Sequence, residues 1–388
     1  MGDGLVNIIA VFGTRPDAIK MAPVIRALRR STQLTTKVCV TGQHGELLHP
    51  ALRLFDIMPD YDLSVMRPNQ SLDDLTINIL GRLKDVLDDF KPALVLVQGD
   101  TTTAMAASLS AFYRKIMVGH VEAGLRSGSM HAPWPEEFNR RVAALTTRFH
   151  FAPTAQARSN LLAEGFPDAH INVTGNTVID ALQWVSGCIK NSPEKLNLFN
   201  KMFDYLDPSR RLVLVTGHRR ENFGDGLFQI CRAIKQLAMR RDIQVVYPVH
   251  PNPNVRNVVN GELSGVDRVF LIEPLDYEPF VYLMDRASVL LTDSGGIQEE
   301  GPSLGKPVLV MREVTERPEA VRAGTVRLVG TCANRIVSEV ERLLDDETAY
   351  DAMARAINPY GDGQAAPRIR SVLERELSPP RRRRPRPL

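Results

Sequence analysis

Several signatures of familiar enzyme and metal sites are missing from this sequence of 388 residues. Its cysteines, Cys39, Cys188, Cys231 and Cys332, lie far apart and form no CxxC pair, which argues against a zinc ribbon and thioredoxin-type chemistry. No apolar run reaches the roughly 18 residues of a membrane span. Met1–Phe12 also lacks the charged start and small-residue cleavage site of a signal peptide. We therefore expect a cytoplasmic protein without stable membrane insertion.

Common short motifs for cofactors and hydrolysis are absent as well. No GxGxxG follows the first predicted strand, and the nearest match, residues 361–366, follows no strand, which disfavours a nicotinamide cofactor. Gly305-Lys306 is followed by Pro307, so the chain has no P-loop, and neither GxSxG nor HExxH occurs. We expect neither a cofactor nor a metal ion.

Excess positive charge is confined to the end of the chain. The net charge is +3, but Pro379–Leu388 alone carries five arginines, and without them acidic residues outnumber basic ones. A nucleic-acid-binding surface is therefore not indicated. We predict that residues 379–388 form a disordered Arg/Pro tail, with weak contact to an anionic lipid or another polyanion as the alternative.

The pattern of strands and helices indicates two domains. The length exceeds the roughly 250–300 residues at which one core stops growing. Short, continuously apolar strands alternate with helical periods such as Leu72–Phe90 and Glu136–Thr147, which indicates a parallel sheet covered on both faces. The same pattern restarts near Leu212. We predict an α/β fold of two Rossmann-like, doubly wound parallel-sheet domains that face each other across a cleft.

The predicted strands fall into two groups separated by a polar segment. The junction lies near Thr174–Asp207, and our limits are 1–175 for the N-terminal domain, 176–360 for the C-terminal domain and 361–378 for a C-terminal helix at Gln364–Glu376. The strands are predicted at Val6–Phe12, Lys37–Val40, Ala93–Val97, Ile116–Val118, His150–Ala152, Leu212–Thr216, Gln244–Pro248, Val269–Ile272, Val289–Leu291, Val308–Met311 and Val326–Val329.

Small, charged and hydrogen-bonding residues follow six of these strands. In an open parallel sheet, ligands bind beyond the carboxyl ends of the strands. Because such ends occur in both halves of the chain, they predict one site built from two facing domains. The segments are Gly13–Pro16, Gln98–Thr101, Gly119–Arg126, Gly217–Asn222, His250 and Thr292–Gly296.

The segment Asp293–Glu300 predicts a phosphate site. Gly295 and Gly296, between a strand and a helix, let the backbone approach a ligand, and the amides and dipole of a helix start favour phosphate. Ser294 can add a hydroxyl, and Glu300 can bind a ribose diol. The alternative is that Ser294 simply caps the helix.

Three residues supply positive or donating groups. Arg15 suits bidentate phosphate contact. His218 follows a strand beside two arginines. Lys20 lies one turn beyond Arg15, and by itself it would indicate only a solvated helix face.

Four carboxylates form the acidic set. Asp100 and Glu122 follow neighbouring strands, so their side chains can converge. Glu136 and Glu137 begin a helix after Pro135, where acidic residues can simply stabilise the helix dipole. Carboxylates near bound phosphate are otherwise unfavourable, so their presence indicates acid–base chemistry.

These motifs resemble the bacterial non-hydrolysing UDP-N-acetylglucosamine 2-epimerases from about Asn7 to about Glu376. The resemblance implies a GT-B-like fold, a homodimer that works without nicotinamide, and a last helix that crosses back to the first domain. It also implies reversible conversion of UDP-GlcNAc to UDP-ManNAc for envelope or capsular polysaccharide. The motifs that carry it are Gly13–Pro16, Gly99–Thr103, Val121–Arg126, Pro133–Arg140, Thr216–Glu221 and Thr292–Glu300.

Site residues are carried over by matching motif. UDP would be held by Arg15, His218, Ser294, Gly295, Gly296, Glu300 and Arg317. The reacting sugar would be surrounded by Lys20, Asp100, Glu122, Glu136 and His218. Positions linked in some relatives to an allosteric second UDP-GlcNAc are matched by Gln43, Glu137, Arg219 and His250. Glu46 and Asn69 differ from those relatives, which weakens the expectation of allosteric control.

Three other functions remain open at this point. A hydrolysing epimerase would release free ManNAc and UDP, and a GT-B glycosyltransferase would need an acceptor. A UDP-sugar-binding protein without activity would leave the acidic set unexplained.

Overall fold

The computed structural model describes residues 5–43, 45, 48–67 and 69–377. The chain forms two compact units: unit 1 is the chain up to Ala181 together with the chain from Gly361 onward, and unit 2 is Leu182–Tyr360. Glu46 and the predicted tail at 379–388 lie outside the described residues.

Unit 1 is built on a seven-stranded sheet in which all neighbouring strands are parallel. The strands are β1 (Val6–Phe12), β2 (Leu34–Val40), β3 (Tyr61–Asp62), β4 (Leu94–Gln98), β5 (Met117–Val121), β6 (Phe149–Ala152) and β7 (Ile171–Val173). Their order across the sheet is β3-β2-β1-β4-β5-β6-β7. The helices are α1 (Arg15–Arg29), α2 (Leu48–Leu54), α3 (Leu72–Phe90), α4 (Thr102–Tyr113), α5 (Glu136–Thr146) and α6 (Ala155–Ala163), and α7 (Thr177–Lys190) leads into unit 2.

Unit 2 repeats this arrangement with six parallel strands in the order β10-β9-β8-β11-β12-β13. The strands are β8 (Arg211–Thr216), β9 (Ile243–Pro248), β10 (Val269–Ile272), β11 (Val289–Thr292), β12 (Val308–Val310) and β13 (Val326–Leu328). The helices are α8 (Pro193–Met202), α9 (Asp225–Ala238), α10 (Pro253–Leu263), α11 (Tyr277–Arg286), α12 (Gly295–Glu300), α13 (Pro318–Ala323), α14 (Ala333–Asp345) and α15 (Glu347–Ala354). The last helix of the chain, α16 (Ala365–Leu377), belongs to unit 1. Among the helices that the structure describes, none is long and apolar enough to cross a membrane.

The core follows from the apolar strands and the amphipathic helices beside them. All five residues of β4 are buried, and Val95 and Val97 share one core cluster with Ile79 and Leu83 of α3. A strand buried on both faces must be apolar at every position, which is why continuous apolar runs locate the strands of parallel sheets. The predicted fold class, with two Rossmann-like parallel-sheet domains, is confirmed.

The structure differs from the sequence-based expectations at a few elements. The strand predicted at Ile116–Val118 continues to Val121, so Gly119–Val121 belongs to β5 and not to the loop after it. The strands β3 and β7, of two and three residues at the sheet edges, were missed because so few residues give no readable pattern. The polar junction also contains the helix α8, which Ser192 caps and which buries Phe199.

The C-terminal helix α16 packs against α1 in unit 1. Its first backbone amides, those of Ala365 and Ala366, donate to the carboxylate of Asp180 in α7 at 3.2 and 2.9 Å. Helix-start amides have no partner within the helix itself, so a buried carboxylate satisfies them and holds the helix in place. Ile369 and Leu373 of α16 are completely buried.

Two buried histidines lie on neighbouring strands of unit 1. His120 of β5 and His150 of β6 are paired in register, and both are at most 1% exposed. Nε2 of His120 lies 2.7 Å from the carbonyl oxygen of Gly99, whereas neither ring nitrogen of His150 has a hydrogen-bond partner among the described residues. Burial lowers the pKa of His120 to about 4 and that of His150 to about 3. Both rings are therefore neutral at pH 7.

We expect His150 to make the fold sensitive to acid. An unfolded histidine titrates near pH 6.5, so below that pH the unfolded chain binds a proton that the folded state rejects. The stability that the neutral ring confers is present above about pH 6.5 and is lost as the pH falls towards the folded-state value. The loss amounts to at most about 1.4 kcal/mol per pH unit. In His150→Phe, the urea-derived free energy of unfolding should fall less steeply than in the wild type between about pH 6.5 and 5.

The exposed His49 provides the matched control, because His49→Phe removes a histidine that is outside the core. This variant should keep the wild-type slope. An equal slope in His150→Phe and the wild type would show that His150 does not cause the acid sensitivity.

Candidate active site

The carboxylate of Glu122 in unit 1 is buried and held by three side-chain donors. Glu122 is the first residue after β5 and is 9% exposed. Its Oε1 accepts from Lys20 Nζ at 2.5 Å and from Asn176 Nδ2 at 3.1 Å, and its Oε2 accepts from Gln98 Nε2 at 2.7 Å. The structure thus brings together two predicted residues, Lys20 and Glu122. The three donors fix the orientation of this carboxylate.

Glu122 also has a strained backbone. Its φ is +63°, in the left-handed region that residues other than glycine rarely occupy. Such a conformation costs roughly 1–3 kcal/mol and persists where the surroundings enforce it, often at functional sites. The strain and the buried charge at one residue together indicate a functional group.

Asp100 is held by the helix α5. Its Oδ2 lies 2.5 Å from Arg140 Nη2, and its backbone carbonyl accepts from Asn139 Nδ2 at 3.0 Å. Arg140 also contacts Glu137 Oε2 at 3.1 Å. Arg140 therefore joins two predicted carboxylates, although the sequence analysis did not assign it to the site.

Glu136 and Glu137 have different environments although they are adjacent. Glu137 is completely buried, and its carboxylate accepts from the side chains of Arg140 and Arg141 and from the backbone amide of Ser127. Glu136 is half-buried, and its buried Oε2 has no hydrogen-bond partner among the described residues. Glu137 is thus a buried residue that joins Ser127, Arg140 and Arg141, and not a surface residue at a helix start. Glu136, in contrast, has an oxygen that can accept a ligand proton. Pro135 precedes the first turn of α5 and does not lie in it.

Asp17 is a buried acid that the sequence analysis missed. It lies in the first turn of α1, where its carboxylate accepts from the amides of Thr14 and Gly13 at 3.2 and 3.5 Å. Burial, with a smaller contribution from the charge of Asp100, raises the pKa of Asp17 to about 7, although the hydrogen bonds from Thr14 and Gly13 oppose the shift. Thr14-x-x-Asp17 is a capping-box pattern that could have indicated this role. Arg15, on the same turn, is exposed.

In unit 2, the helix α12 begins with two glycines that have different neighbours. A methyl group on Gly295 would lie 2.5–2.9 Å from guanidinium atoms of Arg317, whereas one on Gly296 would have no neighbour nearer than 3.6 Å. Arg317 donates to Glu299 Oε1 at 2.7 Å, which holds its guanidinium against Gly295. The hydroxyl of Ser294 makes no capping hydrogen bond. Ser294 is thus the N-cap residue of α12 without a side-chain cap bond, and its contact with phosphate stays a prediction.

His218 and Glu300 each have a buried partner in unit 2. Nδ1 of His218 lies 3.3 Å from Oδ1 of Asp293. Burial lowers the pKa of His218, and the charge of Asp293 opposes that shift. Oε1 of Glu300 accepts from the hydroxyl of Tyr277 at 2.5 Å. Burial raises the pKa of Tyr277 well above its ordinary value, so the phenol stays protonated and donates.

The four residues assigned to an effector site are found in both units. In unit 1, Gln43 accepts from Thr103 at 2.9 Å, and the buried Glu137 accepts from Arg140 and Arg141. In unit 2, Arg219 contacts Glu316 at 3.3 Å, and the ring of His250 stacks on that of His218 at 5.4 Å. Their role in binding a second UDP-GlcNAc stays a prediction.

Each unit thus offers one kind of chemistry. Unit 1 contains oriented carboxylates beside a lysine, and unit 2 contains an arginine, a histidine and a glycine-rich helix start. These features are the ones expected of an α/β enzyme that binds an anionic nucleotide ligand and transfers protons. A family model described as UDP-N-acetylglucosamine 2-epimerase matches residues 26–374. The chain belongs to this family, and the predicted family assignment is confirmed.

Known proteins of high similarity cover nearly the whole chain. The UDP-N-acetylglucosamine 2-epimerases of Yersinia pestis and Escherichia coli K12 are each 56% identical over 370 residues, which is 95% of this chain and 98% of theirs. The crystal structure of UDP-GlcNAc 2-epimerase from Neisseria meningitidis bound to UDP-GlcNAc is 50% identical, with a TM-score of 0.88. That comparison covers 96% of this chain and all of the meningococcal chain.

The two glycines of α12 give a matched pair of variants. Gly295→Ala should displace the Arg317 guanidinium, lower the melting temperature and weaken UDP binding about tenfold or more, because the added methyl group overlaps the guanidinium. Gly296→Ala should keep or slightly raise the melting temperature, because alanine favours a helix and meets no close neighbour. It should still weaken UDP binding, because its methyl group blocks the approach of phosphate to the backbone.

Differential scanning fluorimetry and titration with UDP measure both effects. Equal melting temperatures for the two variants would contradict the predicted overlap with Arg317. Wild-type UDP affinity in Gly296→Ala would contradict the predicted approach of phosphate at this helix start.

Proposed function

We propose that this protein interconverts UDP-GlcNAc and UDP-ManNAc by inverting C2 of the sugar, without releasing free sugar. The observation that carries the proposal is Glu122, a buried carboxylate in a strained conformation beside Lys20. Membership of the 2-epimerase family supports the substrate, as does the UDP-GlcNAc bound to the meningococcal relative.

The chemistry requires the diphosphate to leave before C2 can be inverted. The hydrogen on C2 is not adjacent to a carbonyl, so its direct removal as a proton is prohibitively slow. When the C1–O bond to UDP breaks, positive charge develops on the ring and the C2 hydrogen becomes acidic. Loss of that proton gives a 2-acetamidoglucal and UDP. Readdition of UDP, with a proton delivered to the opposite face of C2, completes the inversion.

Unit 2 supplies the groups that suit the leaving diphosphate. Arg317 and His218 can donate to phosphate oxygens, and the amides at the start of α12 add fixed dipoles. Arg15 of unit 1 is exposed and suits a further phosphate contact. Glu300, oriented by Tyr277, suits the ribose diol.

Unit 1 supplies the groups that suit proton transfer. Base and acid are required on opposite faces of C2, and Asp100, Glu122 and Glu136 are the candidates. Arg140 and Lys20 form ion pairs with Asp100 and Glu122, whereas Glu136 retains an oxygen without a hydrogen-bond partner among the described residues. Asp17, with its raised pKa, adds a group that can hold a proton near neutral pH.

We further infer a cytoplasmic location and a role in supplying ManNAc units for envelope or capsular polysaccharide. The free thiols at Cys39, Cys188, Cys231 and Cys332 suit a reducing compartment. The product, an activated amino sugar, is the kind of donor that polysaccharide assembly consumes.

The central test is to incubate the enzyme with UDP-GlcNAc in deuterated water and record proton NMR spectra. The wild type should form UDP-ManNAc and place deuterium on C2, because the proton lost to a carboxylate exchanges with solvent before readdition. Asp100→Asn and Glu122→Gln should each slow both processes by about 100-fold or more while UDP still binds.

Asp168→Asn is the matched control, because this carboxylate pairs only with Arg158 at the surface of unit 1 among the contacts described. It should react at the wild-type rate. Free ManNAc as the product would indicate a hydrolysing enzyme, and no epimer without an acceptor would indicate a transferase. Near-normal rates in both Asp100→Asn and Glu122→Gln would exclude these residues from the chemistry.

We also propose that the protein is a homodimer through α3, α4 and α5. These helices lie side by side in unit 1 and expose large apolar side chains. Ile77, Phe112, Tyr113 and Leu145 are 66%, 57%, 70% and 75% exposed. A group of such side chains is typical of a protein–protein interface.

Light scattering coupled to gel filtration should give twice the chain mass for the wild type. Phe112→Glu combined with Tyr113→Glu should give the chain mass, because burying two carboxylates in an interface is unfavourable. Met239→Glu, at a residue of unit 2 that is 77% exposed, should leave the dimer intact. A monomeric wild type, or a dimeric double variant, would contradict this interface.

A further inference from the structure

Asp293 organises the loop that contains His218. It follows the last residue of β11 and is completely buried. Its Oδ2 accepts from the backbone amides of His218 and Arg219 at 2.9 and 2.8 Å and from Asn222 Nδ2 at 3.1 Å. These three bonds attach the loop after β8 to the end of the adjacent strand β11. All three of these bonds are accepted by the carboxylate oxygen from N–H donors.

The second oxygen of Asp293 faces the imidazole. Oδ1 lies 3.3 Å from Nδ1 of His218, a close contact without hydrogen-bond geometry, and this buried oxygen has no hydrogen-bond partner among the described residues. This carboxylate oxygen can accept a hydrogen bond from the ring only when the ring nitrogen beside it carries a hydrogen. In the neutral ring, a hydrogen on Nδ1 leaves the lone pair on Nε2. The ring is partly exposed, with 39% of the side chain accessible, so Nε2 can meet a ligand while Nδ1 remains beside Asp293.

We propose that Asp293 is a positioning residue that keeps a hydrogen on Nδ1 of His218, so that Nε2 is the nitrogen that takes up a proton when diphosphate binds. The inference rests on the proposed function, because that function assigns the diphosphate contact to His218. The proposal also says where the proton is taken up. A phosphate oxygen beside Nε2 favours the imidazolium, and the imidazolium then donates a hydrogen bond from Nε2 to the leaving group.

The other charged groups around the ring leave this assignment intact. Arg219 lies on the same loop, and His250 stacks on the ring from the loop after β9. Both lower the pKa of His218, as burial does, and only Asp293 raises it. Without ligand the ring is thus mostly neutral near pH 7, where its tautomer decides which nitrogen can accept a proton.

The test is a long-range proton–nitrogen NMR spectrum of the full-length protein with labelled histidine, recorded without substrate near pH 7.5. His218→Gln identifies the signals of His218. In the wild type, His218 should show a hydrogen on Nδ1 and a lone pair on Nε2. In Asp293→Asn the pattern should reverse, because the amide can donate to Nδ1. A wild-type ring with its hydrogen on Nε2 would overturn the proposal, whether or not Asp293→Asn folds.

Asn222→Ala is the matched control, because it removes one loop contact to Oδ2 and leaves Oδ1 unchanged. The tautomer of His218 should stay as in the wild type. A reversal in this variant would assign the tautomer to the loop conformation and would overturn the role of Oδ1.

The pH dependence of UDP binding gives a second measurement. Wild-type UDP affinity should fall about tenfold per pH unit above the His218 pKa of the free enzyme, because binding requires proton uptake at Nε2. Asp293→Asn should bind UDP about tenfold or more weakly, with a flatter dependence, because Nε2 already carries a hydrogen. An unchanged pH dependence in the variant would overturn the proposal. Failure of the proposed epimerisation would appear separately, as an absence of UDP-ManNAc despite UDP binding and the Nδ1–H tautomer.

Discussion

The structure depends on the parallel arrangement of every strand pair in its two sheets. Parallel strands all end at the same edge of a sheet, so the loops that follow them gather there. The strands themselves are buried on both faces and must be apolar, whereas the loops at that edge can be polar. In unit 1, Glu122 lies at this edge, directly after β5. In unit 2, Asp293 lies at the corresponding edge of the other sheet, directly after β11. The positions of these two buried carboxylates, one in each unit, thus follow from one topological rule.

The two units hold these buried carboxylates with different kinds of partner. Glu122 has a cation, Lys20, and two side-chain amides as partners. Asp293 is held by two backbone amides and Asn222, with no lysine or arginine bonded to it among the described contacts. A buried charge is tolerated only when partners replace its lost hydration. A cation and a set of fixed dipoles both meet this requirement, but they engage the carboxylate differently. The partners of Glu122 contact both of its oxygens, whereas the donors to Asp293 contact only Oδ2 and leave Oδ1 beside His218.

The sequence indicated the fold and many residues of the candidate site, but it did not indicate the hydrogen-bond and ion-pair partners of those residues. Apolar runs located most strands because strands in parallel sheets are apolar at every position, and small polar segments after them marked Asp100, Glu122 and His218. Asn176 was missed because it follows the unpredicted edge strand β7. Lys20 and Glu122 are 102 residues apart, so nothing local in either segment reveals their ion pair. The positive φ of Glu122 was equally hidden, because local sequence favours that conformation only for glycine and a few polar residues.

The bonds from Asp180 to the start of α16 have a consequence for the way the chain is divided. Those bonds join residues 185 and 186 positions apart, and Gly361 lies next to Gly175. The points where the chain leaves unit 1 and returns to it are therefore neighbours, which makes Leu182–Tyr360 an insertion in the topological sense. A short peptide could close the gap and give unit 1 as one continuous polypeptide, whereas simple truncation before Gly361 would remove α16 and the two amides that donate to the Asp180 carboxylate.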